Sequence, residues 1–258
     1  HEIKPHPGQI QAARNIAQLL KSSGMALEHS DVLKIVKDDT EREEHRLLKR
    51  HIQDRYSLRC APQVLGVLRD TIDWTTKWIE IEMNSVSDNP IVDYVNGQIH
   101  NGGNFYGGHI CSAMDALRAV LGNAVDLADK QVELMIDEKF NNGLTPNLVN
   151  PALSKRFLHH GMKALQITCT SVVAEITNFA LPTAILSRPT EAYNQDKVSL
   201  GTISARLTRD VVRLCKYVCA IQLLVICQAM DLRGINNFHG VARKVYELVR
   251  EKSPFVSE

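Results

Sequence analysis

The sequence predicts a mainly α-helical fold, a bundle of long up-and-down helices. Three observations lead there. Apolar residues recur at helical spacing over long stretches, notably Tyr106–Met135, Ser154–Phe179 and Val198–Leu232. Helices of that length bury their apolar stripes chiefly on one another. Only residues 84–105 interrupt the pattern, and they are rich in Asn and Gly.

In chain order, Ile10–Leu20 carries the first helical repeat. Thr40–Ile52 reads as a charged helix with a solvent-facing start. Pro62 opens the next helix, which runs to about Met83, since proline suits a first helical turn. Asn96-Gly97 then stands between the β-prone runs Ile91–Val95 and Gln98–His100, a strong hairpin signal. We therefore expect 84–105 to be an irregular excursion off the bundle, holding a short hairpin. Pro182, Arg188 and Pro189 mark a loop before the last long helix, with Asp196 a candidate cap for that helix.

Composition excludes several functions. Thirty Lys and Arg balance 29 Asp and Glu, so no nucleic acid or membrane surface is drawn by bulk charge. No apolar run reaches the roughly 18 residues of a spanning helix, and the polar, His-containing start is unlike a signal peptide. The six cysteines, Cys60, Cys111, Cys169, Cys215, Cys219 and Cys227, form no Cys-x-x-Cys pair. They read as small buried thiols of a cytoplasmic protein rather than zinc ligands. The ten His residues form no metal constellation, and no metal is expected.

Three dense polar clusters interrupt the apolar pattern. Buried polar groups are costly unless they have partners or a use. The first is Gln-Asp-Arg-Tyr-Ser-Leu-Arg at 53–59. Tyr56 and Arg59, spaced i, i+3, share one face of a helical turn, with Gln53 three residues earlier. An amide, a phenol and a guanidinium together can hold an amino acid by its carboxylate. A plain helix end with Arg59 paired to an acid would carry the same letters. The second cluster, Glu-Met-Asn-Ser-Val-Ser-Asp-Asn-Pro at 82–90, precedes Gly-Gly-Asn-Phe at 102–105. Asn84 and Asp88 have an ordinary use there as turn formers. The third, Glu-Ala-Tyr-Asn-Gln-Asp at 191–196, sits at a helix entrance.

These motifs resemble the aromatic amino acid ammonia-lyases and aminomutases, the family of phenylalanine, tyrosine and histidine ammonia-lyases. The resemblance runs from Lys4-Pro5-His6-Pro7-Gly8-Gln9 to Ser253–Val256, and Gln-Asp-x-Tyr-Ser-Leu-Arg is its most specific motif. It implies elimination of ammonia from an L-aromatic amino acid, phenylalanine or tyrosine, to a trans-arylacrylate. A 2,3-aminomutase is the alternative. By resemblance, Arg59 grips the substrate carboxylate, Tyr56 orients substrate and prosthetic group, and Gln53 is a pocket amide. Asn89 lies near product, and Phe105 is a pocket aromatic. Asn194 and Gln195 line the pocket, and Lys163, 28 residues before Glu191, forms with it a charge pair at the edge. Gln195 matches the phenylalanine and tyrosine branches, because histidine ammonia-lyases carry Glu there.

The family's cofactor is 4-methylidene-imidazol-5-one (MIO), formed from an Ala-Ser-Gly triplet that this sequence lacks. The resemblance therefore places residues 1–258 in the central and C-terminal part of a subunit, without the MIO-bearing part. It implies a homotetramer with shared active sites, to which a separate N-terminal piece would belong. The chain alone is expected to be an inactive fragment or a pseudoenzyme.

Overall fold

The computed structural model describes residues 1–21, 23–38 and 53–257. Among them the chain is mostly helical, with one small sheet. The helices are α1 (Pro7–Leu20), α2 (His29–Asp38), α3 (Tyr56–Arg59), α4 (Ala61–Met83), α5 (Gly108–Ile136), α6 (Lys163–Asn178), α7 (Gly201–Arg233) and α8 (Gly240–Arg250). The helix expected over Thr40–Ile52 lies outside the described residues.

α4 to α7 form the up-and-down bundle. Trp78 packs edge-on against His109, while Gln131 Nε2 at the other end of α5 donates to Ser57 O just before α4, so α4 and α5 are antiparallel. Thr170 Oγ1 donates to Asp129, and Arg118 Nε to Phe179 O, which sets α6 antiparallel to α5. Arg118 meets Ser204 and Gln222 meets Gln131, so α7 runs parallel to α5. The core lies where α5, α6 and α7 meet: Val132, Ile176, Val211, Val218 and Val225 are each fully buried. α1 crosses α4 closely enough that a Cβ on Gly66 would sit 2.6 Å from the Gln9 backbone. Asp70 Oδ1 accepts the Gly8 N–H at 2.7 Å and so satisfies one of the free donors at the start of α1.

The excursion holds the expected hairpin, but its first strand stops at Asp93 rather than Val95, and residues 94–97 form the turn. β1 (Ile91–Asp93) pairs antiparallel with β2 (Gln98–His100), Val92 opposite Ile99. Asp93 Oδ1 accepts the Val95 and Asn96 N–H groups and so builds the turn.

Four expectations need correction. The segment Ser154–Phe179 is not one helix: residues 156–158 form a 3-10 turn, and α6 starts only at Lys163. There the Met162 N–H is held by Asn147 O at 2.8 Å, which folds the chain back onto the preceding loop. Asp196 does not cap α7, because that helix begins at Gly201 after Leu200 in the left-handed region (φ 59°). Gln53 precedes α3 and is not on its face, since Arg55 before the helix is extended. Cys219 is exposed and Cys60 half-buried, so only four of the thiols are buried.

Candidate active site

The excursion and the 187–200 segment meet at one end of the bundle. A Cβ on Gly201 would lie 3.1 Å from Gly107 O, so glycine permits the starts of α5 and α7 to approach closely. Between them opens a cavity of about 810 Å³. Its walls include Asn89, Phe105, Glu191, Asn194 and Gln195, five of the residues singled out from sequence.

Local chemistry fixes each of them. Asn89 Oδ1 accepts the Gly102 N–H at 2.9 Å and ties the two ends of the excursion together. The tie brings Phe105, 53 % exposed, to the mouth of the cavity. On the opposite wall, Thr190 and Gln195 bridge through their backbones at 2.9 and 3.3 Å. The tight loop inside this bridge puts Glu191, Ala192 and Tyr193 at positive φ, a conformation that costs non-glycine residues energy. Asn194 Nδ2 donates to Glu191 Oε2 at 2.8 Å. The cavity thus presents amides, a carboxylate and an aromatic ring on an open face. Tyr193, in the same loop as Glu191 and Asn194, is 76 % exposed.

Tyr56 and Arg59 lie elsewhere. They share a face of α3 as their spacing predicts, with the Arg59 guanidinium 4.5 Å from the Tyr56 ring centre. Both are exposed, Tyr56 by 71 %, and Gln53 beside them is exposed too. α3 sits against the far end of α5: Gln131 binds Ser57 O, and the Arg55 guanidinium covers the Phe140 ring at 4.2 Å. From Gly108 to Gln131 the helix rises about 35 Å. Within one chain, then, the Gln53–Tyr56–Arg59 cluster and the cavity occupy opposite ends of the bundle. Lys163, exposed at the first turn of α6, forms no ion pair with Glu191 within the chain.

Sequence reading missed two features. Tyr106 and Lys197 also line the cavity. More consequential is a buried ion pair beneath it, Asp115 and Arg118, 2.5 Å apart. An Asp and an Arg at i, i+3 inside the apolar repeat of α5 were the available signal.

Comparison with known proteins follows the same lines. The model of the aromatic amino acid lyase family matches residues 1–251. A tyrosine ammonia-lyase of Cupriavidus metallidurans is 35 % identical over 259 aligned residues, covering 100 % of this chain and 48 % of that protein. A histidine ammonia-lyase of Caldanaerobacter subterraneus is 33 % identical over 99 % of this chain and 46 % of its own length. Among solved structures, a phenylalanine aminomutase of Pantoea agglomerans superposes with a TM-score of 0.94 at 32 % identity, covering 100 % of this chain and 50 % of that one. The chain spans about half the length of the relatives it matches.

Proposed function

Because this chain belongs to the aromatic amino acid lyase family, we propose that the intact protein eliminates ammonia from L-phenylalanine or L-tyrosine and releases cinnamate or p-coumarate. The observation that carries this reading is the division of complementary chemistry between the two ends of α5. One end offers Arg59, Tyr56 and Gln53, equipment for an amino acid's carboxylate. The other offers an open cavity with an aromatic and several amides. Neither suffices alone, and about 35 Å separates them along the helix. Two chains related by a two-fold axis across the bundle would bring the α3 end of one to the cavity of the other. We assign such sharing to a homotetramer.

In that composite site Arg59 grips the carboxylate with its planar fork. Tyr56 and Gln53 order the amino acid above it. Phe105 packs on the ring, Asn89, Asn194 and Gln195 donate amide hydrogen bonds, and Glu191 with Lys163 of a neighbouring copy sets the field. A base takes the Cβ–H proton, the electron pair of that bond becomes the trans Cα–Cβ double bond, and the Cα–N pair departs with ammonia. The amides and the ring in the cavity suit a flat, carbonyl-bearing group such as MIO, whose Ala-Ser-Gly precursor is not among these residues. When bound, that group supplies the electrophile that makes the amine a leaving group. Residues 1–258 alone are therefore expected to be inactive. Six free thiols fit a reducing compartment, and we place the reaction in the cytoplasm. Among the described residues no helix is long and apolar enough to cross a membrane.

A second reading, a 2,3-aminomutase that readds ammonia at the β-carbon, is favoured by the close superposition on an aminomutase. The test is to offer Phe, Tyr and His to the intact protein and follow arylacrylate absorbance alongside β-amino acid formation. Arylacrylate alone is the expected result. β-Amino acid would move the assignment to the mutase, and turnover of His alone would refute the substrate.

A further inference from the structure

We propose that the buried Asp115–Arg118 pair is the positioning element of the cavity, holding the segment 187–200, and with it Glu191, Asn194 and Gln195, by clamping both of its ends to α5. Arg118 is fully buried and its fork is saturated. Toward the near end of the segment, Nε donates to Phe179 O at 2.8 Å, and Nη2 donates to Leu181 O at 3.1 Å and Thr183 Oγ1 at 2.9 Å. Toward the far end, Nη1 donates to Ser204 O and Ser204 Oγ, each at 2.8 Å, and to Thr208 Oγ1 at 3.3 Å.

Asp115 repeats the division. Its Oδ2 accepts the Ala184 N–H at 3.0 Å, and its Oδ1 accepts the Ser204 hydroxyl at 2.6 Å. One ion pair therefore fixes the residues just before 187 and just after 200. Between those anchors residues 188–197 are exposed, and the chain carries positive φ at Glu191, Ala192, Tyr193 and Leu200. The Thr190–Gln195 bridge and the Val198 N–H bond to Ser187 Oγ shape the segment internally, but with little burial its position on the bundle depends on fixed ends. Amides within a few ångströms of a reacting substrate need that fixity, since a displacement of about 1 Å can cost a hundredfold in rate.

A pair that served stability alone would soften the whole bundle when damaged. A positioning pair softens the segment and lowers turnover. The kinetic part rests on the lyase reading, so the test has two arms. In the first, hydrogen exchange is followed in the intact protein carrying Thr183→Val, a small lesion, and Asp115→Asn, a larger one. We expect exchange of residues 187–200 to quicken by about tenfold or more, with that of Val218–Val225 unchanged. Exchange that rises evenly along the chain, or not at all in 187–200, overturns the clamp. Should Asp115→Asn fail to fold, Thr183→Val decides.

The second arm measures kcat and KM of the intact enzyme with the same substitutions. We expect kcat to fall by about tenfold with KM moving less than about threefold, at temperatures where all of the protein is folded. Unchanged kcat in a variant whose segment has loosened overturns the positioning role. An intact wild-type protein with no lyase or mutase activity, but with the local exchange signature, would sink the lyase reading and leave the clamp standing.

Discussion

Replacing Arg59 by alanine separates function from stability more cleanly than any other change in this chain. Arg59 is exposed, enters no ion pair among the described residues, and touches Tyr56 through its guanidinium face at 4.5 Å. An exposed cation–π contact of that kind is worth about 0.5–1 kcal/mol, so the fold should scarcely notice its loss. On the proposed function, the same fork would make two charge-assisted hydrogen bonds to the substrate carboxylate in the composite site. At about 1.5–3 kcal/mol each, their removal weakens binding by about 3 kcal/mol or more. That is a rise in KM of a hundredfold or more at about 1.4 kcal/mol per decade. Arg59→Lys keeps the charge without the fork and should fall between the two. The assay is arylacrylate formation by the intact protein, with thermal unfolding run in parallel. A KM within about threefold of the wild type, or a loss of Tm large enough to explain the activity, would refute the assignment.

Three further outcomes follow from the structure. Gln195→Glu puts a carboxylate in the cavity wall, where the side chain accepts a hydrogen bond from Thr190 Oγ1 at 3.4 Å, so it should raise turnover of histidine relative to phenylalanine by about tenfold in a competition assay. Ile176→Ala, at a fully buried core position, should lower the unfolding free energy of the chain by about 2–5 kcal/mol in urea titrations, with the midpoint falling and the slope unchanged. Asp115 is held below the ordinary value of 3.8: burial pushes its carboxyl up, but hydrogen bonds from Ser204, Ala184, Thr183 and Arg118 outweigh it. A depressed folded-state value makes its contribution complete above that pH and lost as pH falls through the folded one. Asp115→Asn should therefore be less stable near neutrality and show a shallower decline below about pH 4 in urea midpoints taken from pH 6 to 2.

The long helices were legible because periodicity over many turns leaves few alternatives. The expected Tyr106–Met135 repeat became α5 (Gly108–Ile136), and Pro62 stands in the first turn of α4. Asn96-Gly97 located the hairpin for a local reason, its turn chemistry. The misread boundaries had non-local causes. α6 starts late because Asn147, far back in the chain, holds the Met162 N–H. α7 starts at Gly201 because α5 approaches there, which no capping rule applied to Asp196 could reveal. Of the site, the motifs picked out Asn89, Phe105, Glu191, Asn194 and Gln195, and the structure gathers them in one cavity. That Tyr56 and Arg59 stand at the other end of the bundle depends on tertiary packing, as does the clamp at Asp115 and Arg118.

The central claim is that the two half-sites meet between copies of the chain. Mixing settles it most directly. Arg59→Ala and Asn194→Ala versions of the intact protein, each impaired alone, are dissociated, combined in equal amounts and reassembled. Random assortment should restore the wild-type pairing in about a quarter of the sites, and activity should return to about that fraction. A mixture no more active than its two parents would show that both residues serve the site from a single chain, and would contradict the account.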